Sequence, residues 1–441
     1  MIEAFESREA LERDLDRRML LRLGAFAGLG AALMPRLAFA AAEPGLLPNV
    51  RALIDKWVRP GKFPGMIASL GLPGKDPEYV AKGTEGFLNL DPMSDSSLFR
   101  IYSMTKPITG MAAMQLIAEG KLSLDQPLYD ILPRYRHMQV QNTYDGSVTD
   151  LHPAKRPITI RHLLTHTAGL GYAIIQKGPI RDLLNKQGLM AGQVSRMTLP
   201  DVYGGPQAPS LEVFADRLAG VPLVYDPGTR WSYSLGLDLM GRVIEVVSGK
   251  PFDVHLRETI FEPCGMTSTF FQVPAADAGE LTTNYAVFGG VFIPIDKGEN
   301  SVFLDPPPFP MGGSGLVSSP RDYDRFLRML AQLGMIDGRR VLAEAAVRQG
   351  TSNLLPPGVK GPALDSAPAD FGAGGRVGIG PETGIYGWAG AAGTVGMVDM
   401  MRALRSQLFV QFMPSQSLAL LPEFQTALKT DVLALLQVKP A

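Results

Sequence analysis

The sequence predicts an α/β fold, of the α+β kind, in which a mainly helical region is inserted into a sheet-bearing domain built from both chain ends. Three observations predict it. Strand-like runs occur near both ends, at "FPGMIASLGLPG" and again at "YAVFGGVFIP", "TGIYGWAGAAGTVGMVDM" and "SQLFVQFMP". Between them, from roughly Ser103 to Thr283, the dominant patterns are helical. The 441 residues, 46% of them hydrophobic, supply enough apolar side chain to fill cores in both parts.

The first element in order is "DLDRRMLLRLGAFAGLGAALMPRLAFAAAEPG", which runs from Arg17 and Arg18 through an apolar stretch, Met19 to Met34, to Ala38-Phe39-Ala40. Basic, then apolar, then small is the order of a cleaved export signal, and the arginine pair is twin-arginine-like. Residues 1–40 are therefore assigned to a signal, with a mature start near Ala41, periplasmic export and no stable membrane insertion after cleavage. Gly24, Gly28 and Gly30 dilute a run already short for a spanning helix. Two other readings stand beside this one: an amphipathic helix kept on the fold, and a retained anchor.

Next, "NVRALIDKWVRPGKFPGMIASLGLPG" reads as a helix and then a strand, with Gly and Pro marking the break. Helical patterns follow in "PITIRHLLTHTAGL", "SLEVFADRLAGVPLVYDPG" and "SLGLDLMGRVIEVVSGKPFDVHLRETIF", and later in "SPRDYDRFLRMLAQLG" and "EFQTALKTDVLALLQV". The sheet-bearing part is thus assigned to 45–102 and 284–441, and the helical part to 103–283. A cleft between two such parts is where ligand sites tend to form.

At that junction lies "FRIYSMTKPITGMAAMQLIAEGKLSLD", with Ser103 and Lys106 one helical turn apart and Pro107 acceptable only in a first turn. Ser103 then sits at or just before a helix start, where backbone N–H groups favour developing negative charge. A desolvated lysine can remove or relay the hydroxyl proton of such a serine. Serine is equally a favoured N-cap, so this motif alone supports both readings. Tyr233, in "PGTRWSYSLGLDLMG", adds a second group able to act as general base beside a lysine. The segment "YGWAGAAGTVG" is rich enough in Gly and Ala for backbone to approach a ligand closely.

These elements, in this order, resemble the serine β-lactamase and penicillin-binding superfamily, most closely its family VIII carboxylesterases. "ITIRHLLTHTAGL" and "GGSGLVSSPRDYDRF" are similar to family segments in the same order. The resemblance implies a β-lactamase-like fold, with an antiparallel sheet flanked by helices, and a serine hydrolase acting through an acyl-enzyme. It places Ser103 as nucleophile, Lys106 and Tyr233 as general base, and Trp388-Ala389-Gly390 where β-lactamases carry K-T-G. The N–H groups of Ser103 and Ala391 then form the oxyanion hole.

Two departures bear on substrate. Leu235 stands where the family's Y-x-N element has asparagine, and Trp388 where K-T-G has a cation. Both withhold polar contacts from a β-lactam and favour a neutral, partly apolar, short-chain ester. Arg376, in "FGAGGRVGIG", is a candidate replacement cation. The alternatives are an acyltransferase on the same site, a β-lactamase or D,D-peptidase activity, and a non-catalytic binder of cell-wall peptides.

Other classes find little support. The formal charge of −1 gives no electrostatic reason to expect a nucleic acid partner, and no G-x-S-x-G elbow occurs. His162 and His166 lie four apart on an expected helix, a spacing open to a two-histidine metal contact, but without H-E-x-x-H a packing or capping role is favoured. No metal or cofactor is expected. Met104, Met111 and Met114 read as core or pocket wall, and the single Cys264 as a small buried apolar residue. Oligomeric state is hidden at this level.

Overall fold

A computed structural model of the chain describes residues 45–190, 192–197, 207–364 and 367–437; the signal segment and the start near Ala41 lie outside them. Helix α1 (Pro48–Trp57) opens with proline, whose missing N–H costs nothing there, and buries Val50, Leu53, Ile54 and Trp57 along one helical face. The hairpin of β1 (Gly65–Gly71) and β2 (Glu78–Gly83) follows, with Ile67 opposite Ala81.

Helix α2 (Thr105–Ala118) has no polar face, and a helix apolar all round must be buried. It is, with every residue from Thr105 to Met114 inaccessible to solvent. Three further helices follow in the middle of the chain. They are α3 (Ile160–Leu164), capped by Thr159, α4 (Leu211–Leu218), capped by Ser210, and α5 (Gly236–Ser248), which Gly249 ends in a left-handed turn. Of these, α5 packs on α2, while the other two pack on α5.

The carboxy-terminal part brings α6 (Pro320–Ala331), capped by Ser319, and then five strands: β3 (Asp370–Phe371), β4 (Arg376–Val377), β5 (Ile385–Ala389), β6 (Val395–Asp399) and β7 (Leu404–Phe409). Helix α7 (Leu420–Gln437) closes the described chain. The sheet runs β3-β4-β5-β6-β7-β1-β2, antiparallel throughout. Its middle joins the two chain ends, because Ile67 of β1 pairs with Phe409 of β7.

Strand β1 is buried on both faces, and its alternation divides the core. Met66, Ala68 and Leu70 pack with α1 and α7, whereas Ile67 joins the larger core around α2, α5 and α6. The fold is therefore β-lactamase-like, a helix-flanked antiparallel sheet.

Several local expectations change. "YAVFGGVFIP" forms a hairpin, Asn284–Phe288 with Val291–Asp296, but pairs with Phe412–Met413 in a separate small sheet. The mainly helical middle segment also carries short strands, in which Gln139–Gln141 pairs with Leu151–Pro153, and Thr269–Phe270 pairs with Val317–Ser318. The long helical pattern after Ser234 breaks at Gly249, where a left-handed residue and then Pro251 stop α5.

Candidate active site

Ser103 lies in a single 3₁₀ turn, Tyr102–Met104, that leads directly into α2. Tyr102 has φ of 42°, a left-handed conformation that costs energy in a residue with a side chain, so surrounding contacts must hold it. Met104 is the N-cap of α2 and no side chain caps it. The capping reading of Ser103 therefore fails. Instead its Oγ accepts a hydrogen bond from Lys106 Nζ at 3.2 Å and another from Tyr233 OH at 2.7 Å.

Lys106 is fully buried, and its Nζ also donates to the Gly313 carbonyl at 2.7 Å and sits 4.5 Å from the centre of the Tyr233 ring. An ammonium removed from water needs such partners. Among the described residues no carboxylate pairs with it directly. The lysine is thus held by neutral oxygens and an aromatic face.

Tyr233 is fixed from behind by His166. The His166 carbonyl accepts from Ser232 N–H at 3.0 Å, and its Nδ1 accepts from Ser234 N–H at 3.2 Å, so the residues on both sides of Tyr233 are bound to one histidine. Its ring packs 4.7 Å from that of Tyr233. Burial, reinforced by the Lys106 charge, holds His166 well below the ordinary histidine range, which keeps it neutral. In front, Trp388 Nε1 donates to Tyr233 OH at 3.2 Å. The tyrosine oxygen is thereby both donor to Ser103 and acceptor from Trp388.

Strand β5 approaches the Ser103 turn closely at its end. A Cβ on Gly390 would lie 2.4 Å from the Ile101 carbonyl, so only glycine allows that approach, and Gly390 N–H bonds Thr394 O at 2.7 Å. Ala389 is half-buried and Ala391 exposed beside it. The sequence candidates Ser103, Lys106, Tyr233 and Trp388 are thus brought together, with the Ala389–Ala391 backbone alongside.

Other candidates fall elsewhere. Leu235 is fully buried and immediately precedes α5 as a core residue. Arg376 pairs with Gly387 across the sheet, which puts its side chain on the face opposite Trp388, and its guanidinium is bound by Glu382. It is not placed as a replacement cation. His162 and His166 do not share a helical face, because α3 ends at Leu164 and His166 has φ of 56°. His162 Nδ1 accepts the Thr159 N–H and completes a capping box. Met104, Met111 and Met114 are wholly buried in the main core, and burial pushes the Cys264 thiol up to about 12.

Two residues near the site were not singled out as site residues from the sequence. His166 appeared only as half of a histidine pair, and its contacts with Ser232 and Ser234 come from distant sequence. Asp238 stands in α5, 1% exposed, with Gly313 N–H donating to its Oδ1 at 2.9 Å. A lone acid inside the apolar run "SLGLDLMG" was the available clue.

Comparison with known proteins gives the family. The sequence profile of the beta-lactamase family matches residues 50–420. Protein Rv1367c of Mycobacterium tuberculosis is 33% identical over 353 residues, covering 75% of this chain and 82% of its own. Esterase EstB of Burkholderia gladioli is 30% identical over 338 residues, covering 72% and 78%. Among solved structures, EstCE1, described as a hydrolase with promiscuous acyltransferase activity, superposes with a TM-score of 0.68 at 24% identity, over 86% of this chain and 97% of that one. A serine set between a lysine and a tyrosine, on this fold, within a profile match that spans most of the chain, identifies it as a member of the beta-lactamase family.

Proposed function

We propose that the protein is a serine hydrolase that cleaves short-chain neutral carboxylic esters through an acyl-enzyme on Ser103. One observation carries the reading: Ser103 Oγ lies within hydrogen-bonding distance of both Lys106 Nζ and Tyr233 OH. Ser103 Oγ bonds to the ester carbonyl carbon, the carbonyl electron pair moves to oxygen, and the hydroxyl proton passes to the Tyr233 oxygen, which acts as phenolate beside the Lys106 ammonium. Collapse expels the alcohol, which takes that proton, and water repeats the sequence to free the acid.

The N–H groups of Ser103 and Ala391 are assigned to the oxyanion, an assignment supported by the close approach of Gly390 to the Ser103 turn. Trp388, an uncharged donor already engaged with Tyr233, supports a neutral acyl group. Esterase activity in a relative 30% identical supports the reaction class.

Nitrophenyl esters of increasing chain length, run beside a chromogenic cephalosporin, test the reading. Turnover is expected for short esters and lost in Ser103→Ala. Lys106→Ala and Tyr233→Phe should each lose about 10²- to 10⁴-fold. Their combined loss should fall well short of the product, as for residues acting as one unit. Independent, multiplying losses would overturn the assignment. A second reading, acyl transfer, is favoured by the acyltransferase activity named for EstCE1. Formation of a new ester on adding a short alcohol would establish it. We also infer export through the residue 1–40 signal, to be checked by intact mass and fractionation in the native host; a full-length cytoplasmic chain would refute it.

A further inference from the structure

Asp238 is an expensive residue to keep where it is. It is 1% exposed in an apolar helix, and while Oδ1 accepts the Gly313 N–H, its other oxygen, Oδ2, has no hydrogen-bond partner among the described residues. A buried, half-satisfied carboxylate is destabilising, and a neutral side chain could accept the same N–H without that cost. Burial raises the Asp238 carboxyl above the ordinary range, and Lys106 and the Gly313 N–H oppose the rise.

The glycine between them explains the arrangement. Gly313 donates its N–H to Asp238 and accepts Lys106 Nζ on its carbonyl at 2.7 Å, so one residue links the acid on α5 to the lysine on α2. It must be glycine, because a Cβ there would lie 2.4 Å from Asp238 Oδ2. The turn that carries Gly313 is pinned to α2 on either side, by Thr109 Oγ1 to the Gly312 carbonyl at 2.7 Å and by Leu316 N–H to Thr105 Oγ1 at 3.2 Å. The linking glycine is therefore held in place. Among the described residues Lys106 is the one charged side chain acting on Asp238, and neutral His166 flanks the lysine.

We propose that Asp238 is a positioning residue for Lys106: its Oδ1 fixes the backbone of Gly313, whose carbonyl receives the lysine, and its buried negative charge acts through space to hold the ammonium against Ser103. Its rate readout rests on the serine hydrolase reading, but its electrostatic readout does not. In folded Asp238→Asn, which keeps the shape and an acceptor oxygen but loses the charge, kcat for a short nitrophenyl ester should fall about 10- to 100-fold while KM changes less than about twofold. The same substitution in Lys106→Ala should cost less than about twofold more, since its effect passes through the lysine.

An equal loss in both backgrounds, or none in the native one, overturns the proposal. If Asp238→Asn does not fold, Lys106→Met answers the question with Asp238 intact. With the cation gone, Asp238 should take up a proton, and a protonated-carboxyl stretch should appear in the difference infrared spectrum against wild type. No new band overturns the link between the two residues. A wild-type protein that turns over no ester, with the band still appearing in Lys106→Met, would overturn the hydrolase reading alone.

Discussion

Trp388 does two things in the site, and they pull in different directions under mutation. It leaves the position uncharged, and it donates to the Tyr233 oxygen at 3.2 Å while its ring packs 5.8 Å from the tyrosine's. Trp388→Phe keeps the packing and removes the donor, so ester turnover should fall about tenfold, the effect of one neutral hydrogen bond made in the transition state. Steady-state kinetics on a short nitrophenyl ester measures it. Trp388→Lys removes the donor too but restores a cation, so ester hydrolysis should fall while the ratio of cephalosporin to ester hydrolysis rises about tenfold. A ratio that stays level would place substrate choice elsewhere in the cleft. Leu235→Asn is no useful companion change. That position is fully buried, and an amide there costs about 1–3 kcal/mol in lost folding energy without reaching substrate.

At the scale of elements, α6 is tied to the sheet by a buried ion pair. Arg405 of β7 donates from Nε to Asp324 Oδ1 at 2.9 Å and from Nη2 to Oδ2 at 3.2 Å, with both side chains almost wholly buried. Asp324→Ala would leave an unpaired guanidinium inside the protein, and chemical unfolding should record a loss of about 3–5 kcal/mol. Turnover per folded molecule should be unchanged, because neither residue touches the site. The elements themselves were largely legible in the sequence. Helices α1 and α6 showed an apolar stripe at helical period, α6 with a serine cap, and α2 showed a nearly unbroken apolar run after Pro107. Helix α7 showed a helical pattern, and β5, β6 and β7 lay in strand-forming runs. What was not legible was set by distant pairing. Two-residue strands such as Phe99–Arg100 and Val317–Ser318 are too short to show any period. The face of Arg376 follows from its register with Gly387. Asp238 and Gly313 meet from 75 positions apart, a relation no local pattern carries. Ser103, Lys106 and Tyr233, by contrast, were found because three short motifs keep their order along the chain.

At the scale of the whole molecule, the first and last described helices are clasped. Asp431 of α7, 1% exposed, accepts the backbone N–H groups of Asn49 and Val50 at 3.0 to 3.1 Å, together with Asn49 Nδ2 at 2.6 Å. It caps α1, which has no side-chain cap of its own. Asp431→Ala should therefore lower stability by about 2 kcal/mol in denaturant unfolding, with Asp431→Asn intermediate. Equal stability of all three would show that packing alone holds the termini together. The pairing of β1 with β7 sets an order in time as well as in space. A ribosome delivers Ser103, Lys106 and Tyr233 long before it delivers Leu404–Phe409, so a prematurely ended product would own every reactive side chain yet leave one edge of β1 bare. Such a fragment lacks the sheet on which Trp388 and Gly390 are mounted and offers quality-control proteases an open strand. Only a finished chain is armed.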